Sequence, residues 1–215
     1  MAASGTAESI ATLDGIEGSA ARAYFRGLME FNRSEMQWPG RQKHPSTDPL
    51  NALLSLSYTL LMHELTGLLE GVGLDPYLGF LHQVDYGRPS LALDLMEAFR
   101  HPVADRLVLT LVNKRVLEAD DFQGGGDRPG VYLAPKAMKR YLAEYERWML
   151  EKRGSAVGGA APAGGSRRVS FRDRLKGEVE RLAGALRSGG SLAPYRVDGE
   201  GGAEEDKCST SSVTI

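Results

Sequence analysis

Apolar residues recur at helical spacing along most of the chain between residues 10 and 152. The clearest start signal is Asp48-Pro49, an N-cap residue followed by a proline suited to the first helical position. Leucines then recur every three or four residues until Gly71. We therefore predict a long, mostly buried helix that begins at Pro49.

Four more helix starts follow in the same region. Asp75-Pro76 predicts a short helix that ends near His82, and Ser90 is suited to cap a helix that runs from Leu91 toward Arg100. Prolines at 102 and 135 begin two further helices. The glycine-rich segment between the last two predicts a small hairpin or loop near residues 123–133. The predicted fold class is mainly α.

Composition changes sharply after residue 153. We predict a helical domain over 1–153, then a flexible Gly/Ala/Ser linker over 154–166. Residues 167–188 carry seven basic against three acidic residues and an apolar stripe, which predicts a basic amphipathic helix that docks on the core. The polar residues 189–215 are expected to be a disordered tail.

Overall composition limits the possible function. The formal net charge of −2 gives no general excess of positive charge, so any DNA-binding surface must be a local patch. The single cysteine, Cys208, excludes a disulfide framework and a thiolate metal cage. We see no signal sequence and no apolar run as long as a membrane span, and we therefore expect a cytoplasmic protein without membrane association.

Four residues with possible chemistry have alternative interpretations. Glu17 suits the first turn of a helix, where the helix dipole favours a carboxylate, and His82 could be a hydrogen-bonded core histidine. Asp94 and Glu97 are three residues apart and share one face of an otherwise apolar helix. Burying two carboxylates requires a compensating positive charge, either a divalent metal or an arginine. The neighbouring arginines are 88, 100 and 106.

Several short motifs resemble, in their order along the chain, the signature of one family. They are Gly15-Ile16-Glu17-Gly18, Asp48-Pro49-Leu50-Asn51-Ala52-Leu53-Leu54-Ser55, Gly79-Phe80-Leu81-His82, Gly87-Arg88-Pro89-Ser90-Leu91-Ala92 and Asp94-Leu95-Met96-Glu97 with Phe99-Arg100. Over residues 13–152 the chain resembles the CRISPR-associated adaptation integrase, the Cas-one family. The resemblance implies the multi-helix catalytic domain of that integrase.

The resemblance also implies a single divalent-metal site. Its ligands map to Glu17, His82 and Glu97, with Asp94 as a supporting or alternative ligand. Mixed oxygen and nitrogen ligands suit Mg²⁺ or Mn²⁺ better than a structural zinc. The implied function is DNA endonuclease and integrase chemistry: phosphodiester transesterification that inserts captured DNA into the CRISPR repeat array, and nicking of branched DNA.

The expected partners follow from the same resemblance. They are double-stranded and branched DNA, a second copy of the chain in a homodimer, and a small CRISPR adaptation protein of the Cas-two family. Basic residues near the motifs are the candidates for contact with DNA phosphates. These are Arg22, Arg26, Arg41, Lys43, Arg88 and Arg100.

One departure from the family concerns the amino terminus. Members of the family carry a β-sheet domain before the catalytic helices, and this chain begins about a dozen residues before the motif that contains Glu17. We therefore expect nicking from this chain, and integration only when that domain is supplied. The alternative is a truncated, inactive remnant, or a non-catalytic DNA-binding or scaffold subunit.

Overall fold

The computed structural model describes residues 10–42, 45–82, 85–127, 129–154 and 168–190, and for residues 10–14, 16 and 17 it describes the backbone. Lys43, most of the predicted linker and most of the predicted tail lie outside these residues. The described elements confirm the mainly α fold class. They are α1 (Ile10–Glu30), α2 (Pro49–Gly71), α3 (Ser90–Phe99), a π-helical turn (Arg100–Asp105), α4 (Arg106–Asn113), a 3-10 turn (Ala119–Asp121), β1 (Phe122–Gly124), β2 (Val131–Leu133), α5 (Pro135–Leu150), β3 (Arg153–Gly154), β4 (Arg168–Val169) and α6 (Phe171–Ser188).

The start of α2 agrees with its local sequence signal. A side-chain oxygen of Asp48 accepts a hydrogen bond from the Asn51 backbone N–H at 2.9 Å, and Pro49 occupies the first helical position. The helix ends where Gly73 takes a positive φ of 79° and the Leu74 N–H donates to the Leu69 carbonyl at 3.0 Å. Local chemistry therefore defines both ends of α2.

The chain divides into two compact units. The first contains residues up to Leu56 together with Leu107–Tyr141. Its buried apolar side chains lie on α1, the first turns of α2, α4 and the first half of α5, and include Leu28, Leu53, Leu107, Leu111 and Tyr141. The predicted hairpin is confirmed in this unit, where β1 pairs with β2 in antiparallel register from Phe122↔Leu133 to Gly124↔Val131.

The second unit contains Ser57–Arg106 and the residues from Leu142 onward. Its core side chains come from the rest of α2, from α3 and its π-helical turn, from the second half of α5 and from α6. They include Leu61, Leu65, Phe99, Val103, Met149, Leu175 and Leu182, none more than 1% exposed. Ser170 caps α6 by accepting a hydrogen bond from the Asp173 N–H, so this helix begins at Phe171 rather than at residue 167.

Three predicted helix starts are wrong in detail. Residues 75–82 form turns and bends instead of a short helix, although a side-chain oxygen of Asp75 accepts the Tyr77 N–H as an N-cap would. Ser90 is the first residue of α3 instead of a side-chain cap before it. Pro102 does not start a separate helix, because it lies inside the π-helical turn between α3 and α4, where its missing N–H is tolerated.

By length and composition, α2 is the one described helix that could cross a membrane, with a mean hydropathy of 1.3 over its most apolar window. Of that window, 44% is buried inside the protein. Core helices of soluble proteins meet the same criterion.

Candidate functional site

The carboxylate of Asp94 organises the loop that precedes α3. Its Oδ2 accepts the backbone N–H groups of Phe80 at 2.5 Å and Leu81 at 3.0 Å. Its Oδ1 accepts the backbone N–H of His82 at 3.0 Å and lies 2.6 Å from His82 Nδ1. These three successive amides point at one carboxylate, which explains why this stretch does not form helical hydrogen bonds.

The carboxyl of Asp94 is held in its ionised form. Burial acts to raise its pKa, but the hydrogen bond from His82 and those from three backbone amides outweigh burial, and the pKa is lowered. The side chain is 6% exposed, so these hydrogen bonds are shielded from water. An ionised carboxylate can only accept hydrogen bonds, and its partner at Nδ1 must therefore be a donor.

His82 is consequently fixed in one orientation, in which a neutral ring carries its proton on Nδ1. With the proton on Nδ1, the Nε2 atom of the neutral ring carries the lone pair that a metal ion or an acidic proton would use. The His82 side chain is 22% exposed and lies on a loop, so it is not a buried core histidine. A carboxylate that holds the far nitrogen of an imidazole is the usual support of a metal-binding histidine.

A close approach between the loop and α3 makes this arrangement possible. A Cβ atom at Gly79 would lie 2.7 Å from the Cβ of Ser90 and 2.8 Å from Asp94 Oδ2, closer than such atoms approach. Ser90 is fully buried at the start of α3. Gly79 is thus required for the loop to reach Asp94, a role that the sequence motif alone did not reveal.

Glu97 lies one turn after Asp94 and pairs with Arg100. The Nη1 atom of Arg100 donates to Glu97 Oε1 at 2.7 Å and to Oε2 at 2.9 Å. Burial acts to lower the pKa of Arg100, but the charge and the hydrogen bonds of Glu97 outweigh burial, and the pKa is raised. Of the three arginines considered as partners, Arg100 makes this contact, while the Glu97 side chain stays 36% exposed.

Two residues that the sequence analysis did not place in the site, Tyr58 and Asp105, lie behind Arg100. Tyr58 contacts Arg100, and Asp105 contacts Tyr58. The guanidinium of Arg100 lies over the ring of Tyr58, 4.6 Å from its centroid. The Tyr58 hydroxyl donates to Asp105 Oδ1 at 2.5 Å, and Asp105 is 1% exposed. A carboxylate directly after the apolar run Pro102-Val103-Ala104 was the signal that could have pointed to Asp105.

Glu17 lies on α1, which begins at Ile10, so Glu17 is in the second turn or later and not in the first turn as expected. Its side chain is outside the described part of the structure. Among the side chains that are described, no group of three or more His, Cys, Asp or Glu residues is arranged to hold a metal ion. The complete ligand set therefore stays a prediction.

The candidate phosphate-binding residues have different environments. Arg22, Arg26 and Arg88 are exposed. Arg41 is half-buried and donates to the Asn51 side chain at 3.0 Å and to Ser55 Oγ at 3.2 Å, which commits it to the first unit's own structure.

Comparisons of the sequence with known proteins find one family. The family model described as CRISPR associated protein Cas1 matches residues 1–147. A curated relative, CRISPR-associated endonuclease Cas1 3 of Thermus thermophilus, is 46% identical over 140 residues, which are 65% of this chain and 42% of the relative. The chain spans less than half the length of the first curated relatives it matches.

Solved structures agree with the sequence comparison. A CAS1 protein from Thermotoga maritima is 28% identical with a TM-score of 0.72, over 85% of this chain and 56% of that chain. A chain of a Cas6-RT-Cas1–Cas2 complex is 26% identical with a TM-score of 0.71, over 86% of this chain and 19% of that chain. The match to residues 1–147 covers well over half of the 215 residues, and the chain therefore belongs to the CRISPR associated protein Cas1 family.

Proposed function

We propose that this chain carries the catalytic helical part of a CRISPR adaptation integrase, which cuts and joins DNA phosphodiesters with the help of a divalent cation. The observation that carries the proposal is the pair formed by His82 and Asp94, in which Nδ1 of a partly exposed imidazole contacts the carboxylate and Nε2 has no hydrogen bond to any residue that the structure describes. Membership of a family whose curated relatives are named endonucleases supports the same chemistry.

We propose Glu17, His82 and Glu97 as the ligands of one Mg²⁺ or Mn²⁺ ion. An imidazole nitrogen with two carboxylates fits these ions. Asp94 has the supporting role, because both its oxygens already accept hydrogen bonds from the loop. A bound cation supplies positive charge that stabilises the phosphoryl oxygens and lowers the pKa of a bound water.

The chain's own residues then orient the reactants. Asp94 keeps the His82 ring in the tautomer whose Nε2 is a lone-pair donor, so no reorientation is needed when a substrate arrives. We propose that Arg88, which is exposed on the same loop, contacts a DNA phosphate. Arg22 and Arg26 are further candidates for such contacts. Binding should weaken with added salt in proportion to the number of phosphates neutralised.

The proposed substrates are double-stranded and branched DNA, and the proposed reaction is transesterification at the CRISPR repeat. Insertion of a fragment at both ends needs two active sites at a fixed separation, which a homodimer provides. One structural neighbour is part of a Cas6-RT-Cas1–Cas2 complex, and we propose a Cas2-type partner for this chain as well. The proposed location is the cytoplasm, where the CRISPR array is found.

The test has two readouts on the same variants: Mn²⁺ binding measured by electron paramagnetic resonance, and nicking of a branched duplex. Glu17→Gln, His82→Ala and Glu97→Gln should each lower Mn²⁺ affinity at least about tenfold, since even residues that only support a ligand contribute that much. Nicking should fall in parallel. Matched controls are His63→Ala and Glu180→Gln, which alter exposed residues and should leave both readouts unchanged.

The outcomes separate the enzyme from its alternative. Nicking that survives all three substitutions would remove the metal site from the mechanism. DNA binding without any metal-dependent nicking would instead favour a non-catalytic DNA-binding or scaffold subunit.

A further inference from the structure

A chain of contacts runs from a buried carboxylate to Glu97. It begins at Asp105, which is 1% exposed and accepts the Tyr58 hydroxyl at 2.5 Å. Tyr58 is itself buried, at 7% exposure, on α2. A buried carboxylate is costly unless it is well hydrogen-bonded, so this contact fixes where the phenol ring lies.

The ring of Tyr58 in turn supports Arg100. The guanidinium carbon lies 4.6 Å from the ring centroid, within the range of a cation–π interaction. The Asp105 carboxylate makes the ring face more attractive to a cation, because it accepts the phenolic hydrogen and pushes electron density into the ring. Arg100 is thereby held by a buried ring while its own side chain is 31% exposed.

The π-helical turn explains why two residues five positions apart contact the same tyrosine. Five residues along an α-helix rotate a side chain well away from its starting face, at 3.6 residues per turn. The wider π turn, which spans Arg100–Asp105, has backbone hydrogen bonds between residues five apart and brings such residues closer to a common face. Such turns are frequent at functional sites.

From these contacts we infer that Tyr58 and Asp105 are positioning residues that hold Arg100 in place, and that Arg100 through its Nη1 contacts holds the carboxylate of Glu97. The function given to Glu97 rests on the proposed metal site. The positions of Arg100 and Glu97 do not depend on it. Metal binding by Glu97 and the positioning of Glu97 by Arg100 can therefore be tested separately.

The first measurement is independent of metal. Slow rotation of the Arg100 guanidinium, followed by nitrogen-15 NMR, reports how firmly it is held. Tyr58→Phe keeps the ring and removes the bond to Asp105, and Asp105→Asn weakens the same bond. Both should speed the rotation several-fold, whereas Tyr77→Phe, which removes a phenolic hydroxyl outside these contacts, should not. Unchanged rotation in both variants would overturn the inference.

The second measurement is Mn²⁺ affinity in a double-mutant cycle. Tyr58→Phe should weaken binding about tenfold in the wild-type background, the effect expected of a residue that orients a ligand. It should have little effect in the Glu97→Gln background, because its effect passes through Glu97. Equal losses in both backgrounds would show a merely structural role. If the wild-type chain binds no Mn²⁺, the proposed metal site fails and the NMR result alone decides the positioning role.

Discussion

Replacement of Gly79 by alanine tests whether the loop is built around Asp94. The added Cβ would lie 2.7 Å from the Ser90 Cβ and 2.8 Å from both the Ser90 carbonyl carbon and Asp94 Oδ2. Carbon atoms pack best at about 3.5 to 4.0 Å, so an overlap of roughly 1 Å has to be relieved. Since Ser90 is buried at the start of α3, the loop must move instead.

The expected cost combines strain with lost hydrogen bonds. Overpacking of this kind costs about 1–3 kcal/mol, and each hydrogen bond to a charged group contributes roughly 1.5–3 kcal/mol. Phe80 and Leu81 are exposed, so water replaces part of what their amides lose. We therefore expect a decrease of about 2–3 kcal/mol in the free energy of unfolding. The bond between His82 Nδ1 and Asp94 should also be lost.

Urea denaturation measures the first effect, and the nitrogen-15 shifts of the His82 imidazole measure the second. Wild type should show one tautomer with the proton on Nδ1, and Gly79→Ala should show a mixture. Gly67→Ala is the control, because a Cβ there meets nothing within 4 Å and alanine favours the helix. A Gly79→Ala protein with wild-type stability and a single tautomer would refute the proposed role of Gly79.

Three further predictions concern the framework of the two units. Leu175→Ala, at a fully buried position of α6, should lower the free energy of unfolding by about 2–5 kcal/mol, whereas Leu150→Ala at an exposed position should change it little. The hydrogen bond from Arg172 lowers the pKa of Glu146 from 4.5, so its small stabilising effect is present above pH 4.5 and is lost as the pH falls below it. The stability difference between wild type and Glu146→Gln, measured by thermal unfolding, should shrink over that interval, and a constant difference would contradict the contact. Arg115 lies two residues after the end of α4 and has a positive φ of 54°, so Arg115→Gly should raise stability by about 1 kcal/mol in urea titrations, and a decrease would contradict the strain.

Elements with a complete local signal were predictable from the sequence. The start of α2 depends on contacts between residues three positions apart, Asp48 and Asn51, and proline marks the first turn of α5 in the same local way. The hairpin near residues 123–133 follows from glycines at the turn, one of which, Gly126, has a positive φ of 62°. The order of the short motifs was sufficient to identify the family, because each motif is contiguous in the sequence.

The tertiary structure decided the rest. Residues 75–82 carry a helix start signal, but three of their amides donate to Asp94, a residue 12 to 14 positions away, and this long-range acceptor prevents a helix. Three arginines were equally suited by sequence to balance Glu97, and the turn that follows α3 selected Arg100. The contact of Tyr58 with Asp105 joins residues 47 positions apart. Periodicity reports which face of an element is apolar, but not which distant polar atoms will meet on it, because that depends on how the helices pack.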